Sequence, residues 1–255
     1  MQRSAVRPSP VFFGILALAI VGGLLAAFSH AETTRDPMLI AGVFILVVAG
    51  WAVSLTLHEF GHAFIAYRGG DHSVAGKGYL NLDVRHYTDP VLSLVLPLIL
   101  LAIGGIPLPG GAVWINRWAL RSRAVATWVS LAGPLSNLVF GLLLTLAVAY
   151  IPMAVGLAIG LSYLALLQVF AFVLNILPIP GLDGFGAIEP YLAPQTREFA
   201  AKVRPWAPLV LFALLFAVPT VGNAFQDLSS YIYEAIGGSR QAAYLGQLTF
   251  MFWRH

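Results

Sequence analysis

Residues 38–67 read MLIAGVFILVVAGWAVSLTLHEFGHAFIAY, an apolar run that is long enough to cross a membrane and that ends in a cluster of polar groups. As one helix this run would be about 45 Å long, against the ~30 Å of a bilayer's hydrocarbon core. Crossing a membrane requires neither histidine nor glutamate, and a charged side chain at mid-membrane costs ~2.5–3.5 kcal/mol. The run therefore predicts a span that carries a functional site toward its C-terminal end.

The composition of the whole chain is that of an integral membrane protein. Hydrophobic residues make up 59% of the 255 residues and charged residues only 10%, whereas soluble domains average about 25% charged residues. The net charge of +3 comes from scattered basic residues, which argues against nucleic acid as a partner and leaves the lipid bilayer as the expected one. Because the chain has no cysteine, any metal ion must be bound by imidazole and carboxylate groups.

The apolar runs predict an all-α polytopic membrane protein with about five to six transmembrane helices. A span at 11–28 precedes the quoted run, although a cleaved signal peptide is an alternative for it. Residues 127–150 and 154–177 would form an antiparallel pair, and 206–224 would be a last span followed by a tail. No connecting segment is large enough for a soluble accessory domain, so residues 1–255 are interpreted as a single domain.

Basic residues predict which side of the membrane each connection occupies. They follow the quoted run and also the apolar stretch 91–106, at Arg68, Lys77, Arg85, Arg117, Arg121 and Arg123. Since cytoplasmic connections are enriched in lysine and arginine, both groups are placed in the cytoplasm of a bacterial or archaeal cell, and 91–106 is expected to re-enter rather than to span. Alternating residues at 78–84 predict a small β element on the same side.

Two histidines and two acidic residues form a candidate zinc site. His58 and His62 are one helical turn apart and share a face, and Glu59 flanks that face, about 100° round the helix. A zinc site with two imidazoles needs a third protein ligand and leaves one position open for water. Apart from Glu59, only Asp183 among the acidic residues adjoins the end of a strong span. If 91–106 re-enters, Asp183 returns to the same side as the histidines, whereas a full span would place it on the opposite side.

Three blocks of sequence resemble the site-2 proteases, a family of intramembrane zinc metallopeptidases. They are HEFGHA at 58–63, LAGPLSN at 131–137 and NILPIPGLDG at 175–184, in which the asparagine precedes the aspartate by eight residues as in the family pattern. The resemblance covers about residues 50–190 and implies a catalytic core at about 38–190. Many members carry a PDZ or CBS domain, and this chain resembles the minimal branch that lacks both.

The resemblance implies a role for each matched residue. His58, His62 and Asp183 would bind one Zn²⁺ per chain, Glu59 would be the catalytic base, and Asn175 would help to hold the substrate. The implied activity is hydrolysis of peptide bonds in or next to the transmembrane segments of other membrane proteins, as in regulated intramembrane proteolysis. The active site would lie nearer the cytoplasmic side.

Other interpretations of the same residues stay open. The chain could be a membrane transporter for a metal ion or a proton, although that class favours inverted repeats and paired half-helices, which the sequence does not display. It could also be a scaffold of the same fold that binds membrane segments without cutting them. Asn175 could serve interhelical hydrogen bonding, and Gly133, Pro134 and Asn137 are interpreted as a packing and kink device.

Overall fold

The computed structural model describes residues 6–29, 34–87 and 113–254, and within these ranges the chain forms α-helices joined by turns, with no strand. The helices are α1 (Pro10–Phe28), α2 (Pro37–Gly69), α3 (Ser73–Gly76), α4 (Arg123–Tyr150), α5 (Val155–Ile176), α6 (Asp183–Ile188), α7 (Pro194–Val203), α8 (Ala207–Ala217), α9 (Pro219–Ala235) and α10 (Arg240–Phe250). In the described part, α1, α2, α4 and α5 are long and apolar enough to cross a membrane, and α7 with α8, bent by 60°, would make a fifth span. The prediction of an all-α polytopic membrane protein is confirmed.

Short polar side chains begin the long helices. Ser9 and Asp36 accept hydrogen bonds from the backbone N–H groups three residues ahead, at 3.2 and 2.7 Å, and each precedes a proline at the first helical position. Ser122 caps α4 in the same way. Such caps satisfy N–H groups that have no partner inside the helix. The four predicted spans in this part of the chain are therefore found within a few residues of their expected bounds.

Helices α2 and α5 form the centre of the molecule. About two thirds or more of their most apolar windows are buried inside the protein, whereas α1 and α4 leave most of theirs exposed. Glycines allow the close approach of α1 to α2, because a Cβ on Gly22 would lie 2.9 Å from the Gly42 carbonyl oxygen. The apolar core lies between α2 and α5, with α9 and α10 packed against α5 and α8 packed against α9.

The predicted β element at 78–84 is wrong. Residues Tyr79–Asn81 and Val84–His86 form short 3₁₀ turns instead, because Gly78 (φ +77°) and Leu82 (φ +51°) adopt left-handed backbone conformations that turn the chain. The alternating pattern reflects side chains that are buried beneath α2 rather than a strand. Buried Asp83 stabilises the second turn, and hydrogen bonds from Arg85 lower the pKa of its carboxyl group to about 2.

The predicted last span at 206–224 is also wrong in its bounds. Helix α8 ends at Ala217, and Pro219 begins α9. Proline has no N–H group and its ring clashes with the carbonyl four residues earlier, so an uninterrupted helix through this point is disfavoured. The stretch 91–106, which was predicted to re-enter, lies outside the described residues.

Candidate metal centre

Helix α2 brings the two histidines of the motif together. The Nε2 atoms of His58 and His62 lie 3.1 Å apart, and both side chains are buried. The rings stand edge to face with their centroids 4.8 Å apart. Because residues four apart lie on one face of a helix, this convergence follows directly from their spacing, as the sequence predicts.

Asp183 reaches the same point from a different part of the chain. Helix α5 ends at Ile176, and prolines at 178 and 180 together with Gly181 (φ +103°) turn the chain before α6 begins at Asp183. Its Oδ2 lies 3.2 Å from His58 Nε2 and 3.4 Å from His62 Nε2. The structure therefore brings together the three residues that the sequence analysis singled out as ligands.

The spacing of these atoms suits a zinc ion. In a tetrahedral site with bonds of ~2.0–2.1 Å, neighbouring ligand atoms lie about 3.3 Å apart, and the three separations here are 3.1, 3.2 and 3.4 Å. Two imidazoles and one carboxylate are a donor set that zinc accepts in catalytic sites. Among the described residues, this is the group of histidine and acidic side chains that could hold a metal ion.

Gly133 of α4 leaves room at the point where the ligand atoms meet. A Cβ on this residue would overlap the Nε2 atoms of both His58 and His62. Gly61 of α2 faces the neighbouring turn of α4, where its own Cβ would lie 3.0 Å from the Ala132 carbonyl oxygen. The close crossing of α2 and α4 thus depends on two glycines, and it places the backbone of α4 against the ligands.

Helix α4 also binds the outer nitrogen of each histidine. His58 Nδ1 lies 2.6 Å from Asn137 Oδ1, and His62 Nδ1 lies 2.7 Å from the carbonyl oxygen of Val129. Both partners are acceptors, so each Nδ1 carries the proton and each Nε2 has a free lone pair for a metal ion. Pro134 lies between the two contacts, and its missing N–H removes one bond from α4 at this level.

Asn137 is a partner of the site that the sequence does not predict. Its interpretation as part of a packing and kink device leaves out the contact in the structure, where its amide lies against His58. A signal was present in the spacing, because Asn137 follows Gly133 by four residues and therefore shares its face of the helix. The contact with Val129 could not be predicted from residue type, because every residue has a backbone carbonyl.

Glu59 is buried beside the two histidines, with 2% of its surface exposed. Within the described ranges, its Oε2 atom has no hydrogen-bond partner. The backbone of Val113 hydrogen-bonds the carboxylate, but leaving its second, buried oxygen without a partner is costly, and buried acidic groups of this kind are typical of functional sites. Its position next to His58 agrees with the role of a proton acceptor that the motif suggests.

Asn175 is buried near the end of α5, and its Nδ2 donates to the Ala171 carbonyl oxygen of the same helix at 3.1 Å. This bond occupies one of the amide's donor positions and does not involve another helix. The predicted contact with a substrate therefore stays a prediction. The sequence also allowed an interhelical hydrogen bond for Asn175, but this bond lies within α5.

Comparison with known proteins identifies relatives along the whole chain. A protein of Mycobacterium tuberculosis named "Putative zinc metalloprotease Rip2" is 48% identical over 254 residues, which cover 99% of this chain and 96% of the relative. The protein of the same name from Mycolicibacterium smegmatis is 46% identical over 98% of this chain and 96% of its own length. "Putative zinc metalloprotease YwhC" of Bacillus subtilis is 33% identical over 66% of this chain and 78% of its own length.

No protein-family profile matches the chain, and no solved structure matches it either. The two Rip2 proteins nevertheless align with nearly the whole chain, at an identity that indicates common descent, and the fold and the ligand cluster described above suit the metal that their names specify. The chain belongs to the family of zinc metalloproteases that these bacterial proteins represent.

Proposed function

We propose that this chain is an intramembrane zinc protease of the site-2 type, which hydrolyses peptide bonds in or next to the transmembrane segments of other membrane proteins. One observation carries the proposal: His58, His62 and Asp183 converge beside the buried carboxylate of Glu59. Both histidines and Glu59 lie on α2, which is apolar enough to cross a bilayer, and Asp183 follows the end of α5, which is apolar enough as well. A transmembrane protein is the substrate class that reaches such a site from within the membrane. Cleavage of such substrates would serve regulated intramembrane proteolysis.

The residues of the site divide the chemistry between them. His58, His62 and Asp183 would hold the zinc ion, which when bound polarises the scissile carbonyl and lowers the pKa of water. Glu59 accepts the proton of the attacking water and delivers it to the leaving amine, which is general base and then general acid catalysis. No group of the described residues hydrogen-bonds Glu59 Oε2, which leaves that atom available to take the proton.

A helical substrate hides its peptide bonds in internal hydrogen bonds, so it must unwind locally before it is cut. Asn175 lies on the last turn of α5, close in sequence to the break that leads to Asp183. Its amide would hold the extended backbone of the substrate beside the ligands. This role requires the side chain to exchange its present bond with Ala171 for one with the substrate.

The basic residues support an active site near the cytoplasm. Arg68 follows the site on α2, Lys77 and Arg85 lie in the turns after it, and Arg117 precedes α4. This charge belongs on the cytoplasmic side under the positive-inside bias. Water would then reach the ligands from the cytoplasm rather than through the full thickness of the membrane.

Replacing the base tests the proposal. In the Glu59→Gln variant we expect proteolysis to fall by roughly 10²–10⁴-fold, with one equivalent of zinc still bound because no ligand is changed. Comparative proteomics of cells that carry the native chain or Glu59→Gln would show the substrates as membrane proteins whose fragments vanish in the variant. Metal analysis of the purified proteins would give the zinc content.

The matched control is Glu198→Gln, which makes the same change at an exposed glutamate of α7 and should leave every fragment in place. A Glu59→Gln protein that cuts at nearly the native rate would contradict the assignment of the base. Zinc flux in proteoliposomes, without any fragment that depends on Glu59, would instead support the transporter interpretation.

A further inference from the structure

Three buried polar side chains from three helices meet behind His58, on the side away from the other ligands. They are Ser54 of α2, Asn137 of α4 and Gln168 of α5, and all three are almost fully buried. Asn137 Nδ2 lies 2.9 Å from Ser54 Oγ and 3.0 Å from Gln168 Oε1. Ser54 Oγ in turn hydrogen-bonds Gln168 Oε1. We call these three residues the Gln168 network.

The hydrogen bonds of the Gln168 network fix which end of each amide faces which partner. Gln168 Oε1 accepts from both Ser54 and Asn137, so the end of the Asn137 amide that faces Gln168 must be the nitrogen. The oxygen of the same amide is thereby turned toward His58 Nδ1, at 2.6 Å. If the Asn137 amide were reversed, its oxygen would face Gln168 Oε1, two acceptors would meet, and its nitrogen would force the His58 proton onto Nε2.

This orientation of the two amides leaves one buried donor without a hydrogen bond among the described residues. Gln168 Nε2 is buried and has no hydrogen-bond partner in the described part of the chain, and an unpaired buried donor destabilises a folded protein. Reversing the Gln168 amide would place that nitrogen against Asn137 Nδ2, donor against donor. The orientation found here keeps the oxygen of Asn137 on His58 and leaves the Gln168 nitrogen unpaired.

We propose that Gln168, acting through Asn137 and Ser54, is a positioning residue that holds His58 with its proton on Nδ1 and so keeps Nε2 open for the metal ion. This inference rests on the proposed zinc site. Partners of this kind around metal-binding histidines typically change metal affinity by 10–100-fold when they are removed. The Gln168 network is therefore expected to affect zinc binding first, and turnover through it.

The test measures the zinc dissociation constant of the full-length chain in detergent, by competition with a chelator. Asn137→Leu and Gln168→Leu should each weaken zinc binding by roughly 10–100-fold, and excess zinc should restore proteolysis toward the native rate. Asn137→Asp should retain zinc affinity close to that of the native chain. Its carboxylate still accepts from His58 Nδ1, and the Gln168 amide can reverse so that Nε2 donates to the second oxygen.

The aspartate variant separates positioning from packing. If Asn137 only filled space, a buried charge would be worse than leucine, so Asn137→Asp would bind zinc no better than Asn137→Leu. Two matched controls remove buried hydroxyls from the same helices: Thr145→Val in α4 and Ser162→Ala in α5. Neither hydroxyl has a hydrogen-bond partner among the residues described, and both variants should bind zinc as the native chain does.

Each outcome bears on one of the two proposals. A native chain that binds no zinc would overturn the proposed function itself. A native chain that binds one equivalent, with Asn137→Leu and Gln168→Leu at the native affinity, would overturn only the role of the Gln168 network. If Asn137→Leu failed to fold, as judged by thermal unfolding of the metal-free protein, Ser54→Ala and Gln168→Leu would decide the question, because the side chains of these two residues act on His58 only through Asn137.

Discussion

Gly133 shapes the metal site by having no side chain. Its Cα faces the two Nε2 atoms of the motif, so the smallest possible addition would occupy the space where ligand atoms converge. The residue lies in α4, next to the kink at Pro134 and one turn before Asn137. A single turn of α4 therefore supplies both the open space and a hydrogen-bond acceptor for His58.

We expect Gly133→Ala to abolish zinc binding while leaving the helices intact. The added methyl group overlaps His58 Nε2 and His62 Nε2, whereas alanine is itself the better helix former by about 1 kcal/mol. Metal analysis and circular dichroism of the purified variant would show the two effects separately.

The control for this variant is Gly76→Ala, since a Cβ on Gly76 has no atom of the described residues within 4 Å. That protein should bind zinc normally. A Gly133→Ala chain that still holds one zinc per molecule would mean that the ligands meet elsewhere than in this structure.

At the scale of residues, the convergence of three candidate ligands was predictable, and the groups that hydrogen-bond to them were not. The spacing of His58 and His62 is a property of one helix, and Asp183 is marked by the break in apolar sequence that precedes it. The partner of His58 is 79 residues away along the chain, and no periodic pattern links such distant positions. The partner of His62 is a backbone carbonyl, which every residue possesses.

At the scale of helices, the crossing of α1 over α2 depends on small residues. A Cβ on Gly22 would overlap the backbone of α2 near Leu46, and a Cβ on Gly42 would lie 2.9 Å from the Cα of Ala26. Small residues let helix backbones approach closely where hydrophobic exclusion from water is absent. The pairing of these two spans is therefore sensitive to single methyl groups.

Replacing Gly22 by alanine should destabilise the protein by about 1–3 kcal/mol, the usual cost of overpacking a well-packed contact. Gly14→Ala is the matched change on the same helix, where a Cβ meets no atom of the described part of the chain within 4 Å, and it should be neutral or slightly stabilising. Thermal unfolding in detergent would compare them. Equal midpoints for the two variants would refute the tight crossing.

Helices were predicted well where apolar sequence ran without interruption, and poorly where single backbone conformations decided the outcome. The bounds of α2, α4 and α5 follow from their composition and their caps. The turns at 79–86 depend on left-handed conformations at Gly78 and Leu82, and a leucine gives no sign of such a conformation. The last predicted span is divided because Pro219 lies within the apolar run and begins a new helix there.

At the scale of the whole molecule, the fold places the connections on two sides of the membrane. The turn between α4 and α5 lies at one end of the helices, and the turns after α2 lie at the other, beside the metal site. Because the native chain has no cysteine, a single introduced thiol reports the side on which it lies.

A membrane-impermeant maleimide should label Ala154→Cys in intact cells, and should label Gly76→Cys only after the membrane is opened. Both positions are exposed, and neither contacts the site. The expectation follows from the basic residues around Gly76, which favour the cytoplasm. Labelling of Gly76→Cys in intact cells would reverse the proposed orientation.

The number and type of the spans could be predicted from the sequence because a bilayer imposes length and polarity on each one. The packing of α9 and α10 against α5 was not predicted, since both helices are only partly apolar and their placement depends on contacts with residues far away in the chain. The same holds for the site. Its candidate ligands could be predicted from the sequence, whereas the residues around them depend on how the helices pack.

Helix α2 has 33 residues and is about 50 Å long, some 20 Å more than the hydrocarbon it crosses. His58 lies about 32 Å along it from Pro37, so an upright α2 would carry the motif to the inner headgroups, and tilting would draw it back among the acyl chains. The tilt of a helix inside a bundle is set by its packing against its neighbours, so a thicker bilayer moves the hydrocarbon boundary past the motif. We expect turnover in vesicles to fall as longer acyl chains leave the proposed catalytic centre deeper in hydrocarbon and farther from water.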